Sequence, residues 1–148
     1  MTTSLSGSQI MEILKGSFGD SIVEVGSGSL LVKSGALLDI AAFLKNTTGL
    51  EFDFLSSITG TDYKGCFELV YHLESFKHNR SLILKVRCPK DEPAAPSLTR
   101  LWQGADFQER EIYDLLGVSF SGHPNMKRIF LWDGFEGYPL RKDFENGA

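Results

Sequence analysis

The chain has 148 residues, room for one domain and not comfortably for two. Hydrophobic residues make up 42% and charged residues 23%, ordinary globular values that exclude wholesale disorder. A net charge of −4 argues against a nucleic-acid binder, which would carry a basic excess. The apolar runs are short, so no segment is long enough to span a bilayer, and no basic-then-apolar leader opens the chain. A protein made and kept in the cytosol is expected. Two cysteines, Cys66 and Cys88, are too few for a disulfide framework and read as free reduced thiols.

The first seven residues are small and polar and read as a frayed end. Ser6 and Gln9 have capping-box spacing, and Ile10, Ile13 and Leu14 then recur at helical spacing to about Gly16. Ile22 to Val25 and Leu30 to Val32 flank Gly26-Ser27-Gly28 and predict a hairpin. Leu37, Ile40, Ala41 and Leu44 make a second helical stripe, ending near Gly49. A strand follows over Phe52 to Thr61. The clearest alternation comes next, with Phe67, Leu69, Tyr71 and Leu73, then Leu82, Leu84 and Val86. The turn Ser75 to Arg80 joins these two strands into an antiparallel pair.

Pro89, Pro93 and Pro96 bound a loop, and Ser97 to Trp102 predicts one or two helical turns. A firmer helix spans about Phe107 to Leu116, with Asp106 as N-cap, Glu109 closing a second capping box, and Gly117 as terminator. Arg110 and Asp114, four apart, predict an exposed ion pair. Beyond Gly117 periodicity disappears, yet residues 118–148 hold six aromatic, four basic and four acidic side chains. A segment that rich in large side chains must bury them on its own domain or on another protein. The predicted organisation is an α+β core over residues 1–117 and an irregular aromatic and basic partner-binding segment over 118–148. Its fold class is a two-layer sandwich, helices packed on a mainly antiparallel sheet.

No phosphate loop, dinucleotide fingerprint or nucleophile–base pair is present. His72, His78 and His123 stand at no metal-ligand spacing, and His72 and His78 read as solvated. Glu109, Glu111 and His123 are the groups a small stand-alone acid–base enzyme would use. A free-standing interaction module is a further alternative.

One stretch is specific. Glu109-Arg110-Glu111-Ile112-Tyr113-Asp114 is followed by Gly122-His123-Pro124, by Lys127-Arg128, and by Gly137-Tyr138-Pro139-Leu140-Arg141-Lys142-Asp143-Phe144. In that order these resemble the C subunit of proton-translocating NADH:quinone oxidoreductase, respiratory complex I. Asp62-Tyr63, Phe67 to Leu73 and Pro96 to Thr99 fit the same pattern. Phe107 and Lys127 depart from it, standing where Trp and Arg are common. The same type of subunit occurs in energy-converting hydrogenases, formate hydrogenlyases and deazaflavin-dependent dehydrogenases.

The resemblance implies a structural subunit of the peripheral arm on the cytoplasmic face of the membrane. It implies no catalytic residue, no metal and no cofactor of its own. The implied partners are the large hydrogenase-like quinone-site subunit and iron–sulfur subunits, without nucleic acid, and with membrane contact only through the assembled complex. The residues it places at the partner interface are Glu109, Arg110, Glu111, His123, Pro124, Arg128, Tyr138, Arg141 and Lys142. Among these, Arg141 is expected to lie free for a bidentate carboxylate contact, with Tyr138 and Phe144 as anchors. Its truncation is then expected to change the free domain's stability by no more than about 0.5 kcal/mol.

Overall fold

A computed structural model of the chain describes residues 3–4, 7–63, 65–132 and 135–142. The Ser6 cap and the Phe144 anchor lie outside the described residues.

Period-two alternation builds the centre of the molecule. Strands β5 (Phe67–Ser75) and β6 (Arg80–Cys88) pair antiparallel, with Leu69 opposite Val86, Tyr71 opposite Leu84 and Leu73 opposite Leu82. That register puts the buried apolar side chains of both strands on one face. In the turn between them Asn79 takes the left-handed backbone conformation that its short amide side chain tolerates. Strand β4 (Phe54–Asp62) pairs antiparallel with β5, with a bulge between Leu55 and Ser57. The predicted first hairpin forms from β2 (Ile22–Val25) and β3 (Ser29–Val32), and β3 docks parallel to β6. The sheet order is β2-β3-β6-β5-β4. The end read as frayed contributes a strand too. In β1, Thr3 and Ser4 pair parallel with Arg80 and Ser81.

Helices α1 (Gly7–Phe18), α2 (Leu37–Asn46) and α3 (Ala105–Leu116) complete the expected α+β architecture. Ile10 and Leu14, Leu37 to Leu44, and Ala105, Ile112 and Leu116 enter one core with the inward residues of β4, β5 and β6. Helix α1 runs on past Gly16, beside which there is open space, and its Ile13 stays on the exposed rim. Phe18 then meets Phe43 of α2 edge-on at 5.7 Å.

The stretch read as a proline-bounded loop holds a strand. In a second sheet β7 (Ala94–Pro96) pairs parallel with β8 (Ser119–Ser121), Ala95 opposite Phe120. Between β7 and α3 the chain turns as expected, the amides of Leu101 and Trp102 both donating to the Leu98 carbonyl. The Trp102 indole N–H reaches the Phe52 carbonyl at 3.2 Å. Val118 and Phe120 are buried core residues, so packing does not change at Gly117, where the sequence places the end of the core. Helix α3 lies close on β4. A Cβ on Gly60 would stand 2.5 Å from Leu116 Cδ1, so any larger residue there would push the Leu116 side chain aside.

The outer face of the sheet is more polar, with Arg87 Nε bonded to Glu68 at 3.1 Å. His78 is not simply solvated. Its Nε2 lies 3.1 Å from Glu51 Oε1, and with Lys77 it holds the Glu51 carboxyl below its ordinary value. Both cysteines are free, and burial pushes the Cys88 thiol up to about 11. Among the described residues no helix is long and apolar enough to cross a membrane.

Candidate functional site

Helix α3 has apolar residues on one face and an acidic or basic residue on most of its turns. Its N-cap is Gly104 and no side chain caps it, so Asp106 and Glu109 do not form the predicted capping box. Glu109 instead points inward and is fully buried. Its Oε1 accepts from the Ser97 hydroxyl at 2.6 Å and its Oε2 from the Leu98 amide at 2.8 Å. Burial pushes its carboxyl above the ordinary range, and those two donors oppose the rise. Glu109 therefore fastens the loop after β7 to α3 and presents nothing to a partner.

Asp114 is likewise fully buried, which excludes the exposed pair expected with Arg110. Its Oδ2 accepts three consecutive amides, from Ile129 at 3.1 Å, Phe130 at 2.7 Å and Leu131 at 3.2 Å. Its Oδ1 receives Arg128 Nη1 at 3.3 Å. One carboxylate thus folds the irregular 128–131 stretch around itself, as a buried charge must be compensated by several donors. Arg110 closes the same turn from outside, donating to the Lys127 carbonyl at 3.1 Å and the Arg128 carbonyl at 3.3 Å.

The later motif docks just beyond. Leu140 N–H donates to the Leu115 carbonyl, and Arg141 Nε to the Leu116 carbonyl at 2.6 Å. Helix α3 ends in unpaired carbonyls, so a guanidinium there satisfies an acceptor at the negative end of the helix. Arg141 also lies over the rings of Tyr138 and Phe67, 4.6 and 5.1 Å from their centroids. Arg128 covers Tyr138 from a second side at 4.9 Å and donates to the Gly137 carbonyl at 3.0 Å. Gly117 gives this stack its space. It has φ +81°, and a Cβ there would sit 2.5 Å from Arg141 Nη2. The Lys142 amide donates to Asp62 Oδ2 at 2.7 Å, and Lys90 pairs with Oδ1. These two donors hold the nearly buried Asp62 carboxyl below its ordinary value.

The nine residues read as partner contacts thus divide. Glu109 and His123 have buried side chains, and Arg128, Tyr138 and Arg141 are half-buried in contacts within this chain. Arg141 is not free for a partner's carboxylate, and Tyr138 is held between two guanidiniums. Arg110 is half-buried, whereas Glu111, Pro124 and Lys142 are exposed. The acid–base trio is not assembled either. His123 and Glu109 are internal neighbours, while Glu111 lines the groove between α3 and Gly60 of β4. Among the described residues no group of three or more His, Cys, Asp or Glu is placed to hold a metal.

What the fasteners hold outward is aromatic. Phe130 is 57% and Trp132 69% exposed, and Phe107 and Leu140 are also more than half exposed. Phe107 and Phe130 meet edge-on at 6.1 Å, and Trp132 and Phe135 at 4.9 Å. The richness of this segment in aromatics was legible. Its exposed members were not separable from its buried ones, because no periodicity marks the side that faces water.

The profile of the respiratory-chain NADH dehydrogenase 30 Kd subunit family matches residues 30–148. The C subunit of NADH-quinone oxidoreductase from Roseiflexus sp. (strain RS-1) is 40% identical over 151 residues, covering 97% of this chain and 87% of the relative. The C 2 subunit of the same enzyme from Rhizobium meliloti (strain 1021) is 40% identical over 136 residues, covering 87% and 74%. Among solved structures, the trypsin-resistant fragment (1-134) of Nqo5 superposes with a TM-score of 0.62 at 30% identity, covering 78% of this chain and 98% of the fragment. A chain of the membrane-bound sulfane sulfur reductase, an archaeal respiratory membrane complex, superposes with a TM-score of 0.76 at 26% identity, covering 94% and 85%. With the motifs of α3 and the segment after it accounted for as one set of interlocking fasteners, the chain belongs to the family of the 30 kDa subunit of respiratory-chain NADH dehydrogenase.

Proposed function

We propose that the chain is a structural subunit, without catalytic residues or a cofactor of its own, in the peripheral arm of NADH:quinone oxidoreductase at the cytoplasmic face of the membrane. It supports the large hydrogenase-like quinone-site subunit and adjoining iron–sulfur subunits. Those carry electrons from NADH to quinone, and the complex couples that transfer to proton translocation. The observation that carries this reading is the exposed apolar set of Phe107, Phe130, Trp132 and Leu140, with Phe130 held on the buried Asp114 carboxylate. Irregular backbone this firmly held can present anchors with little ordering left to do on binding. Aromatic side chains are the usual hot spots of such surfaces.

Replacing Phe130 and Trp132 together by Ala tests it. Free-chain stability should change by no more than about 0.5 kcal/mol, since both side chains are largely exposed. Affinity for the large subunit, measured by co-purification and titration, should fall about 30-fold or more. Unchanged assembly would refute the surface. A second reading, the equivalent subunit of an energy-converting hydrogenase or formate hydrogenlyase, is favoured by the likeness to the archaeal respiratory complex. The identity of the large subunit that accompanies the chain on purification from the native cell separates the two.

A further inference from the structure

Helix α3 spends Glu109 and Asp114 on fastening this chain to itself, and Arg110 on closing the turn at 127–128. Glu111 is exposed and, among the described residues, makes neither an ion pair nor a hydrogen bond. It lines a groove of about 190 Å³ together with Ile58 to Gly60 of β4 and with Ile112, Leu115, Leu116 and Leu140. Small-molecule sites run from about 300 Å³ upward, so this groove has the size for a side chain. Strand β4 ends the sheet, and among the described residues no strand pairs with its outer side. The Ile58 amide points out of the ladder and donates to Gln108 Oε1 at 2.7 Å. Ladder groups alternate in direction, so the Ile58 carbonyl and both backbone groups of Gly60 point outward too. Gln108 closes this edge at one end. At the other end the Lys142 amide, 2.7 Å from Asp62 Oδ2, brings the late segment across. The gap between them lies at Gly60, and a glycine inside a strand marks a place where another backbone can come close.

We propose that this groove receives an extended segment of a partner subunit, which adds to the edge of β4 at Gly60 and places a lysine or arginine on Glu111. The incoming residue opposite Gly60 accepts from the Gly60 amide and donates to the Gly60 carbonyl, one antiparallel pair. Residues opposite one another in a ladder share a face, and the side-chain direction at Gly60 is the one toward Leu116. The incoming side chain therefore points at α3 and enters the groove. Its stem lies along Leu115 and Leu140 and its charged end reaches Glu111, the division of apolar stem and ionic tip that long basic side chains adopt. Glu111 is the charged residue of the lining, and a carboxylate without a cation from its own chain selects one from outside. Residues 143–148 of this chain hold Asp143 and Glu145 and no basic group, so they do not match. Two-fold pairing of β4 with a second copy around Gly60 would set glycine against glycine and leave Glu111 without a cation. Leu140, 57% exposed, belongs both to the groove and to the proposed partner surface, so the two are continuous. The inference rests on the reading of that surface as the partner site and names the chemistry of the segment that meets it beside α3.

The test compares hydrogen exchange at the Gly60 amide in the full chain alone and in the complex purified from the native cell. Exchange should slow about tenfold or more in the complex. In a second arm, Glu111→Lys sets a like charge against the incoming cation. It should leave the free chain's melting temperature unchanged and lower affinity for the partner subunit about tenfold or more, with Glu111→Gln in between. Equal exchange at Gly60 in both states overturns the added strand. Natural affinity in Glu111→Lys overturns the basic residue, and if that variant does not fold, natural affinity in Glu111→Gln does the same. Gly60 protection that appears in the isolated chain and rises with its concentration assigns the edge to a second copy and overturns the partner. The double replacement of Phe130 and Trp132 by Ala separates this inference from the reading it rests on. If the double variant assembles normally, that reading falls, and Gly60 and Glu111 still decide the groove. If it fails to assemble while Glu111→Lys binds normally, the groove alone falls.

Discussion

The β5–β6 hairpin and the segment from 118 to 142 are ordered by opposite means. In the hairpin, leucines and valines alternate, every ladder position is filled by a near neighbour in sequence, and order comes from apolar area. In the segment, few backbone groups find a ladder. Order comes instead from a few buried or half-buried ionic groups that bond backbone elsewhere in the chain, three amides on Asp114, the Leu116 carbonyl on Arg141 and the Lys142 amide on Asp62. Apolar burial is lost in proportion to the atoms removed. An ionic fastener loses its whole set of contacts at once, and the groups it satisfied are left stranded.

The largest effect should therefore come from Asp114→Ala. It strands three amides and leaves Arg128 without its carboxylate, a loss of about 3–5 kcal/mol. That matches or exceeds Leu84→Ala in the hairpin, for which about 2–5 kcal/mol applies. Chemical denaturation of both variants compares the two modes directly, and a cost below about 1 kcal/mol for Asp114→Ala would show that apolar packing alone holds the segment. Arg141→Ala comes next. It removes a charged hydrogen bond to the end of α3 and the cover over Tyr138, at about 1–2 kcal/mol of free-chain stability. A loss under about 0.5 kcal/mol would restore the expectation of a guanidinium free for a partner.

Acid sharpens the same contrast, because no carboxylate stands among the apolar residues of the hairpin's inward face. Asp62 has a lowered value in the folded chain, so the stability it contributes is whole above its ordinary value of 3.8. That contribution is lost as pH falls through the lower folded value. Glu109 has the opposite sign. Its raised folded value means that stability declines as pH rises from the ordinary 4.5 through the folded value. Stability of Asp62→Asn across the acid range should lose the first slope and keep the second. The smallest effect belongs inside the hairpin. Tyr71 is fully buried, and among the described residues its hydroxyl has no hydrogen-bond partner. Tyr71→Phe should therefore be neutral or stabilising by up to about 1 kcal/mol in thermal unfolding. A clear loss would reveal a bond made by that hydroxyl.

The two regions also differ in how they read from sequence. Alternation over Phe67 to Leu73 and Leu82 to Val86 identifies strands, register face and hairpin together, since all three follow from one short-range period. The stripe Leu37, Ile40, Ala41, Leu44 does the same for α2. Strands β7 and β8 have three residues each and pair across some two dozen positions, too short for a period and too distant for a turn signal. The capping-box pattern at Asp106 and Glu109 and the four-residue spacing of Arg110 and Asp114 are genuine local signals that lost to distant partners. Glu109 found Ser97 and Leu98, and Asp114 found the amides of 129–131.

The family, the α+β class and the aromatic richness of the last third were therefore determined by the sequence itself, because motif order, short periods and composition are properties of a string. Tertiary structure decided which motif residues face inward. Glu109, Asp114 and Arg141 read as surface charges until the elements pack, and only then does each find hydrogen-bond partners far along the chain, three backbone amides for Asp114, the Leu98 amide and Ser97 hydroxyl for Glu109, and the Leu116 carbonyl for Arg141. What these inward choices leave outside is Phe130 and Trp132, the proposed partner surface, rather than the charged motif itself, because a buried charge demands partners at once while a ring can stay exposed.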